Sequence, residues 1–148
     1  SGCCIRLQID QTARFAMRFK TPRLLITDDD RDLRSTIAGL FQSRGFDTLE
    51  AGDGEEALEI VVRQEVHLLL LDMQMPRLSG LETIRRLKQL DLSVPLPWIL
   101  LSGALDEQIL AQAREAAALS ILAKPFRLPE LTGAVQSALA HTYNWQAR

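Results

Sequence analysis

From residue 23 onward, short apolar runs alternate with stretches of helical period, five times over. The first run is Leu24-Leu25-Ile26. The stretch after it puts Leu33, Ile37, Leu40 and Phe41 on one helical face, the i, i+4, i+7, i+8 stripe of an amphipathic helix. Gly45 is placed to end that helix, because glycine takes the left-handed backbone beyond a C-terminus without strain. Residues 46–50 predict a second strand. Asp53-Gly54-Glu55-Glu56 then sets acids in a first helical turn, where the macrodipole favours them, with Ala57, Val61 and Val62 as the inner face. Leu68-Leu69-Leu70-Leu71 is a third strand. Pro76 and Gly80 mark a loop before a helix carrying Leu81, Ile84 and Leu87. Residues 98–101 form a fourth strand, and the Ala-rich stretch 106–118 a fourth helix. Ile121-Leu122-Ala123 is a short fifth strand. Pro129 stands in the first turn of a last helix, where its missing N–H costs little, and Leu131, Val135, Ala138 and Leu139 face inward.

Strands that are continuously apolar are covered on both faces, which is the mark of a parallel sheet. Five of them alternating with five helices predict an α/β fold, a doubly wound five-stranded parallel sheet. Residues 23–142 make up this domain, residues 1–22 a basic extension, and residues 143–148 a C-terminal tail.

Composition narrows the class. Of 148 residues 47% are hydrophobic and 24% charged, which suits a packed core and excludes disorder. The net charge of -2 leaves no basic excess to hold a phosphate backbone, so no direct nucleic-acid partner is expected. The leader differs: Arg6, Arg14, Arg18, Lys20 and Arg23 face one acid, Asp10, so the acidic excess lies downstream. Met17 is a candidate start codon. Adjacent Cys3 and Cys4 are the only cysteines and build no disulfide or zinc framework. No run is long and apolar enough for a membrane span, and no secretory signal is visible, so a cytoplasmic setting is expected.

In open parallel sheets ligands bind beyond the carboxyl ends of the strands. The first strand runs into Asp28-Asp29-Asp30, the third into Asp72, the fourth into Ser102-Gly103 and the fifth into Lys124-Pro125. Acids, a hydroxyl and an ammonium therefore share one rim. Clustered carboxylates repel, and a divalent cation relieves the repulsion. Oxygen donors with no His or Cys among them point to Mg²⁺. A carboxylate beside Mg²⁺, Lys124 and Ser102 is equipped as a nucleophile toward phosphorus.

Four segments carry a resemblance: residues 24–30 (Leu-Leu-Ile-Thr-Asp-Asp-Asp), 70–80 (Leu-Leu-Asp-Met-Gln-Met-Pro-Arg-Leu-Ser-Gly), 100–104 (Leu-Leu-Ser-Gly-Ala) and 124–126 (Lys-Pro-Phe). In this order, each at a strand end, they resemble the response-regulator receiver family over residues 23 to about 142. The resemblance implies a flavodoxin-like strand order 2-1-3-4-5. It implies Asp72 as phosphoacceptor, with Lys124 and Ser102 contacting the phosphoryl group. It implies Mg²⁺ held by Asp29, Asp72, the backbone carbonyl of Gln74 and, through water, Asp28. A cis peptide before Pro125 is implied too. The implied donor is a sensor histidine kinase or a histidine phosphotransfer protein. The output would pass to a downstream protein, or to a second copy, through the fourth helix, fifth strand and fifth helix. Such a chain assists its own phosphorylation and dephosphorylation but is not an enzyme.

Each residue also has a plain structural reading. Asp28 and Asp29 suit a helix cap, and Asp30 is assigned to the cap and not to the metal. Ser102 alone suits a turn. Trp98 suits core packing and Trp145 a frayed end. His67 and His141 lack ligand spacing. Departures from the family pattern are Ile121 in place of the switch aromatic, Ala117-Ala118 before the fifth strand, and His67 where an acid is common. The competing function is a pseudo-receiver that docks or dimerises without phosphorylation. An aspartyl phosphohydrolase is disfavoured, because Gln74 stands where a second Asp is usual.

Overall fold

The computed structural model describes residues 21–146. Its elements are β1 (Arg23–Thr27), α1 (Arg31–Ser43), β2 (Asp47–Ala51), α2 (Gly54–Arg63), β3 (Leu68–Asp72), α3 (Gly80–Leu87), β4 (Trp98–Ser102), α4 (Glu107–Glu115), β5 (Ser120–Ala123) and α5 (Leu128–Tyr143). Cys3, Cys4, Met17 and the leader up to Lys20 lie outside the described residues.

The five strands pair in parallel in the order β2-β1-β3-β4-β5. Side chains alternate along each strand, so each strand feeds two cores. Leu24, Ile26, Leu68, Leu70, Ile99 and Leu101 point to the face covered by α1 and α5. Leu25, Leu69, Leu71, Trp98 and Leu100 point to the face covered by α2, α3 and α4. This is the doubly wound architecture that the alternating pattern predicts, in the flavodoxin-like strand order that the resemblance implies.

The caps follow the chemistry of the sequence. Asp30 accepts from the backbone N–H of Asp32 and Leu33 and starts α1. Asp53, Ser79 and Asp106 cap α2, α3 and α4 in the same way. Gly45, at φ 88°, turns the chain after α1. The Phe46 N–H then bonds back to the Phe41 carbonyl at 3.0 Å.

Several expectations are corrected. The second strand begins at Asp47, not Phe46. Phe46 instead plugs the turn after α1, edge-on to Phe41 at 5.3 Å. Val62 is not an inner residue: it is 66% exposed, while Ala57 and Val61 are buried. At 100° per residue Val62 lies well round the helix from both. The fourth helix stops at Glu115, because Ala117 takes a left-handed φ of 67°. Trp145 is not frayed: it packs on Phe46 at 5.3 Å, and α5 continues to Tyr143. Trp98 is core, and its indole N–H donates to the Ala116 carbonyl at 3.3 Å. His67 is buried as well. Its Nδ1 accepts from the Arg23 N–H at 2.9 Å and its Nε2 meets Glu65 at 3.0 Å. Tyr143 donates from its hydroxyl to the Pro95 carbonyl.

Two positions test this packing. A Cβ at Gly80 would lie 2.7 Å from the backbone oxygen of Asp72 and 3.0 Å from the Cα of Met73. Gly80→Ala is therefore expected to cost roughly 1–3 kcal/mol in urea unfolding, because backbone must move. Thr27 Oγ is fully buried without a hydrogen-bond partner among the described residues. Thr27→Val keeps the shape and removes the orphan, so it is expected to gain about 1 kcal/mol in the same assay.

Candidate functional site

The strand order reverses between β1 and β3: the chain leaves β1 for β2 on one side, then returns to build β3 on the other. Asp28 follows β1 and Asp72 ends β3, so both stand at the crevice that this reversal opens. One carboxylate oxygen each from Asp28, Asp29 and Asp72 lie within 4.8 Å of one another. Asp28 is fully buried, Asp72 is buried and Asp29 is exposed.

Lys124 enters from the end of β5. Its backbone N–H bonds to the Ser102 carbonyl at 2.8 Å, which ties the β5 exit to the β4 exit. A cis peptide joins Lys124 to Pro125. The ammonium then reaches across the sheet, 2.7 Å from Asp28 Oδ2 and 3.3 Å from Asp72 Oδ1. Ser102 is buried, and its hydroxyl accepts from the Ala104 N–H at 3.2 Å. The Gln74 N–H points at Asp72 Oδ1 from 3.4 Å. The residues singled out from sequence thus meet at one rim. Arg34, which sequence reasoning did not single out, also reaches this rim: its guanidinium donates to the Asp28 carbonyl at 2.7 Å.

Burial raises the carboxyl of Asp72 from 3.8 to about 6, and the nearby charge of Asp28 adds to the rise. Lys124 and the Gln74 N–H pull the other way without cancelling it. Burial works against the Lys124 ammonium. The Asp28 hydrogen bond and the charges of Asp72 and Asp28 outweigh that and raise its pKa.

This chain matches the family model described as "Response regulator receiver domain" over residues 24–136. The chain belongs to this family. The receiver is 33% identical over 117 residues to sporulation initiation phosphotransferase F of Bacillus subtilis, covering 79% of this chain and 93% of that one. It is 34% identical over 119 residues to the phosphate regulon transcriptional regulatory protein PhoB of Pseudomonas aeruginosa. That match covers 80% of the receiver and 52% of PhoB. It likewise spans about half the length of the MprA and CpxR regulators that it matches. A solved receiver protein from Pseudomonas putida superposes with a TM-score of 0.76 at 28% identity, covering 80% of this chain and 98% of the other. Among the described residues, no helix is long and apolar enough to cross a membrane.

The receiver's donor set fits a hard divalent cation. Three carboxylates converge, with no imidazole or thiolate among them. Burial first, and the charge of Asp28 second, raise the Asp72 carboxyl, and a bound cation offsets both. A cation must displace the Asp72 proton when that proton is present. Mg²⁺ affinity is therefore expected to fall about tenfold between about pH 7 and about pH 5, as Asp72 protonates near its value of about 6. Calorimetric titration with MgCl₂ across that range checks the slope.

Proposed function

We propose that the receiver accepts a phosphoryl group on Asp72 from a phosphohistidine of a sensor kinase or phosphotransfer protein. The observation that carries this reading is the meeting of Asp28, Asp29, Asp72 and Lys124, from three separate strand ends, at one rim. Membership of the receiver family supports the class of chemistry.

A carboxylate oxygen of Asp72 attacks phosphorus in line. An O–P bond forms, the N–P bond to histidine breaks, and the imidazole leaves with the bonding pair, taking a proton from solvent. Asp29, Asp72, the Gln74 backbone carbonyl and, through water, Asp28 would hold Mg²⁺, which when bound would supply neutralising charge at the phosphoryl oxygens. Lys124 swings from Asp28 toward the phosphoryl group and takes one oxygen. Ser102 gives up its turn contact with Ala104 and donates to another. Reversal by water releases inorganic phosphate and restores Asp72, so the chain assists its own reset without being an enzyme.

The acyl phosphate adds nearly two negative charges at this rim. Movement of Ser102 carries the change to α4, β5 and α5, which form the output face toward a downstream protein or a second copy. Ile121 stands on β5 where an aromatic is usual, so the output runs without an aromatic rotamer change there. The setting is cytoplasmic, and direct nucleic-acid contact is not part of the action. Acetyl phosphate with MgCl₂ tests the reading by intact mass. A single phosphoryl adduct, lost when EDTA replaces MgCl₂, is expected. An unmodified wild-type mass would assign the chain to non-phosphorylated docking modules instead.

A further inference from the structure

Arg34 projects from α1 and grips the acidic rim from behind. Its Nη1 donates to the Asp28 carbonyl at 2.7 Å, and its Nε donates to Glu50 Oε1 on β2 at 3.0 Å. The Arg34 side chain is only 16% exposed. The Asp28 carbonyl belongs to the peptide that joins Asp28 to Asp29.

The two acids are held very differently. Asp28 is fastened by its own N–H to the Ala51 carbonyl at 3.1 Å, by the Asp30 N–H at 2.9 Å and by Lys124 at 2.7 Å. Among the described residues, no hydrogen bond holds the Asp29 carboxylate. The backbone before it fixes only where its Cα and Cβ stand, and so the region that its carboxylate can reach. The guanidinium holds that peptide by its carbonyl at 2.7 Å.

We propose that Arg34 is a positioning residue for the divalent cation: it fixes the Asp28–Asp29 peptide so that the Asp29 carboxylate stays aimed into the cluster, with Glu50 as its anchor. Arg34 touches neither cation nor phosphoryl group. It acts through the backbone, as outer-shell partners of metal ligands do. The inference rests on the reading of the acidic cluster as a Mg²⁺ site.

A mere staple between α1 and β2 would change stability and leave Mg²⁺ affinity alone, so the two roles separate in a binding measurement. Calorimetric titration of the full chain with MgCl₂ is the test. Arg34→Ala is expected to bind roughly tenfold more weakly than wild type, in line with other outer-shell losses. Arg34→Lys is expected in between, since an ammonium satisfies one acceptor at a time. Glu50→Gln loosens the anchor while keeping β2, and is expected to weaken binding by about threefold. Asp47→Asn breaks the 2.7 Å ion pair with Arg23 at the opposite rim and serves as the control. It is expected to bind as wild type does. Wild-type affinity in both Arg34→Ala and Glu50→Gln would overturn the proposal. Absence of Mg²⁺ binding by the wild type would overturn the underlying reading together with it.

Discussion

Asp72→Asn is expected to lose phosphoryl incorporation from acetyl phosphate by roughly a hundredfold or more, while the metal-free protein becomes more stable. The first half follows because the amide is no nucleophile toward phosphorus. The second half follows from the carboxyl that burial lifts from 3.8 to about 6. A folded state with the higher value binds the proton more tightly than the unfolded chain. The stability from this group is then full below about pH 4, falls as pH rises toward about 6, and stays low above that. Asparagine carries no charge to bury and no repulsion against Asp28. A gain of roughly 1–2 kcal/mol is expected near neutral pH, shrinking to nothing in acid. Urea unfolding in EDTA at several pH values measures it. A loss of stability would mean that the Lys124 contact outweighs burial.

Lys124→Met is expected to do harm on both counts. Removing the cation leaves Asp28, which is fully buried, without its 2.7 Å partner. It also leaves Asp28 and Asp72 facing each other uncompensated. The metal-free protein is expected to lose about 1–3 kcal/mol, a discounted version of the penalty for breaking a buried pair. Mg²⁺ should restore more stability to this variant than to wild type, because it takes over the neutralising charge. Phosphotransfer is expected to fall about a hundredfold, since an oriented positive charge on the developing phosphoryl oxygens is gone. The pH below which Mg²⁺ binding weakens should also move up, as Asp72 loses one of the influences that lower its pKa. Thermal unfolding with and without MgCl₂, and mass-based phosphorylation rates, check these outcomes.

How far the sequence speaks depends on whether a feature is periodic or relational. The inner faces of α3 and α5 were legible because Leu81, Ile84 and Leu87, and Leu131, Val135, Ala138 and Leu139, repeat at the helical period. Val62 was not, because two adjacent valines offer the same apolar signal and only the helix phase separates them. Phe46 reads as strand by its neighbours, yet the tight turn at Gly45 diverts it into the core. Alanine propensity runs on past Glu115 and does not encode the left-handed Ala117 that breaks α4.

The site divides along the same line. Asp28, Asp72, Ser102 and Lys124 announce themselves because each ends a strand or directly follows one, and parallel strands end together. Arg34 has no such mark. A charged residue on a helix reads as solvated, and its contact with Asp28 becomes visible only once α1 folds back over the end of β1 and β2 lies alongside. Nor does the order of contacts follow from spacing. Lys124 lies 2.7 Å from Asp28 and 3.3 Å from Asp72, a preference that spacing along the chain does not encode.

In the proposed reaction one oxygen nucleophile, the carboxylate of Asp72, takes the phosphoryl group. Reducing the phosphorylated chain with borohydride converts an aspartyl phosphate to homoserine, and peptide mass mapping then locates it. Conversion at residue 72, dependent on Mg²⁺ and on the phosphodonor, is the predicted result. Conversion at another aspartate, or phosphate retained on Ser102 or a histidine with residue 72 untouched, would contradict it.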